Sequence, residues 1–128
     1  MKCLLDTATF LWMIFGEETR LSKRALRVVH ESEEIHLSAV SVWEIVIKYG
    51  IGKLPLKAHP KAWLPEIVLE MGLKSLPVSQ RHVLEVAELK DVHRDPFDRL
   101  LIAQALVEGL PILTPDKIFK KYSVATLW

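Results

Sequence analysis

A chain of 128 residues, 50% of them apolar and 26% charged, has the size and balance of one folded domain, which excludes a disordered chain and argues against a second core. Its 17 basic side chains against 16 acidic ones leave a formal charge of only +1, so bulk attraction to a polyanion is excluded and any basic surface must be local. The single cysteine, Cys3, cannot close an intramolecular disulfide, and its place in an apolar run suits a buried, reduced thiol in the cytoplasm.

The first strand is expected over residues 2–6, followed by an unusually apolar helix over 8–15 that stops near Gly16. That run is about half the roughly 20 residues a membrane span needs, and no signal-peptide cleavage pattern accompanies it. A second helix over 22–31 offers Leu26, Val28 and Val29 to a core, and "IHLS" at 35–38 reads as a strand. From Ser41 to Tyr49 the apolar Val42, Ile45 and Val46 recur at helical spacing, with Gly50 and Gly52 as the stop. Helices over 60–71 and 79–89 enclose a strand near 73–77. Segment 97–108 is apolar on nearly every face, as a buried central helix would be, and Gly109 and Pro111 end it. A strand at 111–114, a short helix over 116–122 and a last strand in "SVATLW" complete the chain. Strands alternating with helices predict a single α/β domain over 1–128 with a mainly parallel sheet.

On this map four acids fall where strands give way to helices: Asp6 in "LLDT", Glu44 in "SVWE", Asp98 in "DPFD" and Asp116 in "LTPD". The carboxyl ends of parallel strands share one edge, where ligands bind. Four carboxylates about 5 Å apart would repel by roughly 3 kcal/mol per pair at an effective dielectric of about 20. Either some are protonated or a hard dication neutralises them, and oxygen-only ligands favour magnesium or manganese. Helix capping competes with this reading. Ser41-x-x-Glu44 has the form of a capping box, Asp95-Pro96-x-Asp98 that of a cap with a first-turn proline and acid, and Asp116 that of a helix start. Asp6 alone ends a strand without an evident cap to make.

Other chemistries find less support. His30, His36, His59, His82 and His93 show no paired spacing for zinc, no glycine-rich phosphate loop is present, and no nucleophile elbow surrounds a serine. A phosphoacceptor site would want a second acid two residues after Asp6, where Ala8 stands. A non-catalytic binding module that uses its acids only as caps stays open.

"LLDT", "LSAVSVWEIVIKYGIGKL", "HRDPFDRLLIAQAL" and "ILTPDKIFKKY", taken together and in order, resemble the PIN domain, and within it the VapC-like ribonuclease toxins of toxin–antitoxin pairs. The resemblance implies a three-layer α/β fold with a central, mainly parallel sheet of four to five strands flanked by helices. It also implies a metal-dependent endoribonuclease, with Asp6, Glu44, Asp98 and Asp116 as the catalytic acids. Asp6, Asp98 and Asp116 would hold Mg²⁺ or Mn²⁺, and Glu44 would orient the attacking water to leave 5′-phosphate and 3′-hydroxyl ends. Asp95 is an extra acid beside the third, and Thr7 and Thr114 stand ready to hydrogen-bond the carboxylates. Pro115 departs from the usual pattern at its position, but the acid after it is retained. An RNA-processing role without a toxin is the alternative.

An RNA substrate calls for cations on the protein. Lys48, Lys53, Lys57 and Lys61 form an acid-free basic stretch, although Lys48 is also spaced to pair with Glu44. Arg94 and Arg99 flank the "DPFD" acids and are the better placed to meet the scissile phosphate. Phe10 to Phe15 exceed what one buried stripe needs. The resemblance therefore points to a cognate antitoxin seated in a groove anchored by Trp12 and Phe15, and to a homodimer.

Overall fold

The computed structural model describes residues 1–128. Five strands, β1 (Lys2–Leu5), β2 (Glu34–Ser38), β3 (Lys74–Leu76), β4 (Ile112–Leu113) and β5 (Thr126–Leu127), form one sheet in the order β3-β2-β1-β4-β5, with every pairing parallel. Six helices surround it: α1 (Thr7–Ile14), α2 (Lys23–Glu31), α3 (Ala39–Gly50), α4 (Pro60–Glu70), α5 (Gln80–Glu85) and α6 (Pro96–Glu108). A sheet covered on both faces needs apolar side chains on both, which is why "CLL" in β1 is continuously apolar rather than alternating. Cys3 and Leu5 enter a core with Phe10, Ala25, Ile45 and Leu64, from α1 to α4. Leu4, one position out of phase, enters the other with Leu101, Ile102, Ala105 and Phe119, mainly from α6. These are the expected three layers.

The element order matches the sequence reading, and the differences are local. The strands expected at 111–114 and 123–128 shrink to two residues each. The helix expected over 116–122 is a 3₁₀ turn at Lys117–Lys121, and the one over 79–89 tightens into 3₁₀ at Val86–Glu88. A further 3₁₀ turn at Glu18–Arg20 was not expected. Helix α6 is buried through Leu101 to Ala105, as its apolar faces require. At its end Gly109 adopts φ 67°, a left-handed cap that only glycine takes without strain. Cys3 is fully buried, and burial pushes its thiol up, away from the reactive thiolate. No helix is long and apolar enough to cross a membrane.

This topology fixes where a site can form. After β1 the chain proceeds outward to β2 and β3, then returns through α6 to lay β4 on the other side of β1. The order reverses between β1 and β4, and the crevice outside their carboxyl ends is the switch point at which parallel sheets bind ligands.

Candidate active site

Asp6 follows β1 directly at this switch point and is 5% exposed. Its N–H donates to the Leu113 carbonyl at the end of β4. Its Oδ1 accepts from the Thr9 N–H at 2.8 Å and its Oδ2 from the Thr114 hydroxyl at 2.6 Å. Asp6 is therefore the N-cap of α1, contrary to the expectation that no cap required it; the helix begins at Thr7, one residue earlier than predicted. Burial raises its pKa, against the hydrogen bonds from Thr114 and Thr9, and the charge of Asp116 raises it further.

Thr114 ties the first acid to the fourth. Its hydroxyl donates to Asp6 and accepts from the Asp116 N–H at 3.1 Å. Asp116 is exposed and caps the 3₁₀ turn through Ile118, so the helix-start reading holds while its carboxylate still faces Asp6 electrostatically.

Glu44 departs from its capping reading. Helix α3 begins at Ala39 because Ser38, at the end of β2, turns its Oγ to the Val40 N–H and also donates to Gln104 of α6. Ser41 and Glu44 consequently lie inside the helix, and no capping box forms there. Ser41 instead accepts from the Thr7 hydroxyl at 2.9 Å, linking α3 to the residue after Asp6. Glu44 is 6% exposed. A buried glutamate without a capping duty needs another partner. Lys48 supplies one, its ammonium on Oε2 one turn away, and this hydrogen bond raises the lysine pKa. The pair lines a cavity of about 240 Å³ with Thr7, Leu11 and Lys53.

Asp95 is the N-cap of α6, its Oδ1 accepting from the Asp98 N–H at 2.9 Å, with Pro96 in the first turn. Asp98 makes no cap. Its Oδ2 lies 2.8 Å from His93 Nε2. Burial, first of all, and then the charges of Asp95 and Glu44 push its carboxyl up to about 6, against the His93 hydrogen bond. Donor atoms of His93, Asp95 and Asp98 lie within 4.8 Å of one another. The charge of Asp116 acts on Asp6 and those of Asp95 and Glu44 on Asp98, while the Thr7–Ser41 hydrogen bond ties the residue after Asp6 to the helix that carries Glu44.

The arginines divide. Arg94 is exposed and forms no ion pair, free to meet a phosphate. Arg99 is not: its guanidinium donates to the carbonyls of Val86, Lys90 and His93 and to the Tyr122 hydroxyl. A planar fork satisfied on that many sides staples the preceding loop to α6, a structural duty beside the expected phosphate contact. Lys48 is likewise engaged by Glu44, whereas Lys53, Lys57 and Lys61 stay exposed.

Of the two expected groove anchors, Phe15 is 46% exposed and lines a cleft with Ile14, Leu56, Trp63 and Ile67. Trp12 is half-buried, its ring under the Arg20 guanidinium at 4.6 Å and edge-on to Trp128 at 6.0 Å. It packs on the core and does not stand in the cleft.

A family model for the PIN domain matches residues 3–125. The chain belongs to the PIN domain family. This PIN domain is 24% identical over 119 residues to ribonuclease VapC22 of Mycobacterium tuberculosis, covering 93% of this chain and 90% of that one. Solved structures share its fold. VapBC2 of Rickettsia felis bound to a promoter DNA fragment superposes with a TM-score of 0.68 at 17% identity, over 98% of this chain and 97% of that one. DNA-bound VapBC of Salmonella typhimurium gives 0.69 at 20% identity, over 98% and 96%. FitAcB of Neisseria gonorrhoeae gives 0.64 at 24% identity, over 98% and 96%.

Sequence reasoning marked His93 as the histidine beside the acids but gave it no partner, and it read Ser41 as a cap. For His93 the available signal was its place in "HRDPFD", five residues before the third acid. For Ser41 nothing local revealed a partner 34 residues away.

Proposed function

We propose that this PIN domain is a Mg²⁺- or Mn²⁺-dependent endoribonuclease, the toxin of a toxin–antitoxin pair. The observation that carries the reading is Asp98: a largely buried carboxylate with like charges beside it, one oxygen fixed by His93 and the other without a hydrogen bond. That donor set suits a hard dication, which relieves the repulsion among Asp95, Asp98 and Glu44 with oxygen ligands. When bound, the cation supplies an activated water and charge neutralisation at the scissile phosphodiester. The protein's own residues do the placing. Asp6, locked by Thr9 and Thr114, and Asp98, locked by His93, present the ligand oxygens; Asp116 completes the set from the rim. Glu44, steadied by Lys48, orients the water, and Arg94 and Lys53 offer charge to the RNA backbone. An antitoxin segment would seat its apolar side chains in the cleft beside Phe15, and two toxin copies would associate in the cytoplasm. The relatives named for VapC and VapBC support both the activity and the partner.

The test incubates the purified protein with total RNA in EDTA, Mg²⁺ or Mn²⁺ and maps the ends. Cleavage only with a dication, leaving 5′-phosphates and lost in Asp6→Asn, is the expected result. Cleavage undiminished in EDTA would overturn the metal assignment, and none in any cation would leave a binding module.

A further inference from the structure

The loop from Lys90 to Asp95 carries an arrangement that the four-acid reading does not use. His93 and Asp98 are each only 23% exposed, and the ring nitrogen Nε2 sits 2.8 Å from Oδ2. Arg99, one residue beyond Asp98, reaches back to the His93 carbonyl at 3.3 Å and to the Lys90 carbonyl at 2.9 Å, and is itself tied to Tyr122 and Val86. Helix α6 thus anchors the loop, and the loop returns a hydrogen bond to a carboxylate on the first turn of the same helix. Asp95, in that loop, caps the Asp98 N–H. The backbone and the side chain of Asp98 are therefore both held by residues 93–95.

We infer that His93 is a positioning residue that occupies Oδ2 of Asp98, so that a cation meets this carboxylate through Oδ1 alone. The inference rests on the nuclease reading and deepens it, because denticity bears on which cation fits. Mg²⁺ and Mn²⁺ take near-octahedral sets and suit one oxygen per carboxylate, whereas Ca²⁺ accepts seven or eight ligands and takes bidentate carboxylates readily. With Nε2 on Oδ2 a bidentate cation would have to compete with the imidazole for that oxygen, whereas Oδ1 is open. A partner holding a ligand in this way typically matters by about 10- to 100-fold in metal affinity.

The experiment measures Mn²⁺ and Ca²⁺ affinity calorimetrically, without RNA, for the wild type, His93→Ala, His93→Leu and His93→Gln, with melting curves in EDTA to establish folding. Leu fills the ring's space without a donor; Gln restores one. The expected result is a loss of about 10- to 100-fold in Mn²⁺ affinity for Ala and Leu, a smaller loss for Ca²⁺, and partial recovery of the Mn²⁺ preference in Gln. Equal losses for both cations, or no loss, would overturn the inference. Failure of Gln to recover any preference would also overturn it. A wild type that binds neither cation defeats the nuclease reading and this inference together, whereas a wild type that binds Mn²⁺ beside unaffected variants defeats this inference alone.

Discussion

Replacing Asp98 with Asn separates a metal ligand from a structural acid through stability alone. The folded carboxyl titrates at about 6, against an ordinary value of 3.8. Because the folded value is the higher one, the folded state holds its proton more tightly than the unfolded chain does. That contribution is complete below about pH 4 and is lost as the pH rises through about 6. The gap corresponds to about 3 kcal/mol at 1.36 kcal/mol per pH unit, which solvent screening of this partly exposed group reduces to about 1–2 kcal/mol. Asn carries no charge, and it forgoes about 0.3–1 kcal/mol of favourable interaction with the α6 dipole. In EDTA at pH 8 Asp98→Asn should therefore be up to about 1.7 kcal/mol more stable than wild type in urea denaturation, with the advantage gone at pH 4. Adding Mn²⁺ at about a hundred times its dissociation constant should stabilise wild type by about 2.7 kcal/mol and reverse the order. A variant less stable than wild type at pH 8 in EDTA would refute the reasoning, since Asp98 would then act mainly as the structural partner of His93.

Asp6→Asn should keep the fold, because Asn caps α1 about as well as Asp, yet lose RNA cleavage; full activity of the purified variant would remove Asp6 from the site. Lys53→Gln should leave thermal stability unchanged and reduce the salt dependence of RNA binding by about one charge, which a salt titration reads directly. Arg99→Ala should do the opposite, costing on the order of 3 kcal/mol through its several hydrogen bonds in chemical denaturation while sparing the salt slope. Phe15→Ala should weaken antitoxin binding by about 2 kcal/mol with little effect on folding, and Trp12→Ala should destabilise the protein itself; calorimetry and melting curves tell the two apart.

The layer order was legible because it rests on local pattern, apolar runs for buried strands and periodicity for helices, and the acids at the junctions of those elements could be named as candidates. What escaped the sequence depended on partners distant in the chain. Glu44 looked like a capping residue because Ser41 stood three residues before it, yet Ser38 starts the helix, with Gln104 from α6 on the same hydroxyl. Arg99 looked like a phosphate contact because it neighbours Asp98, yet the carbonyls it satisfies belong to a loop whose path no periodicity reveals. Asp6 was singled out because no cap seemed to need it, yet it caps α1.

The bond between Asp6 and Thr114 spans 108 positions, and β1 receives β4 on its open side only from residues near the end of the chain. Synthesis runs from the other end. While the last strands are unmade, β1 can pair with β2, but Asp6 lacks the hydroxyl that fixes Oδ2, the Leu113 carbonyl for its own N–H, and the charge of Asp116 beside it. A chain still being made therefore carries Asp6 without the wall that holds it, and that environment is assembled only after β4 and the residues following it have been synthesised.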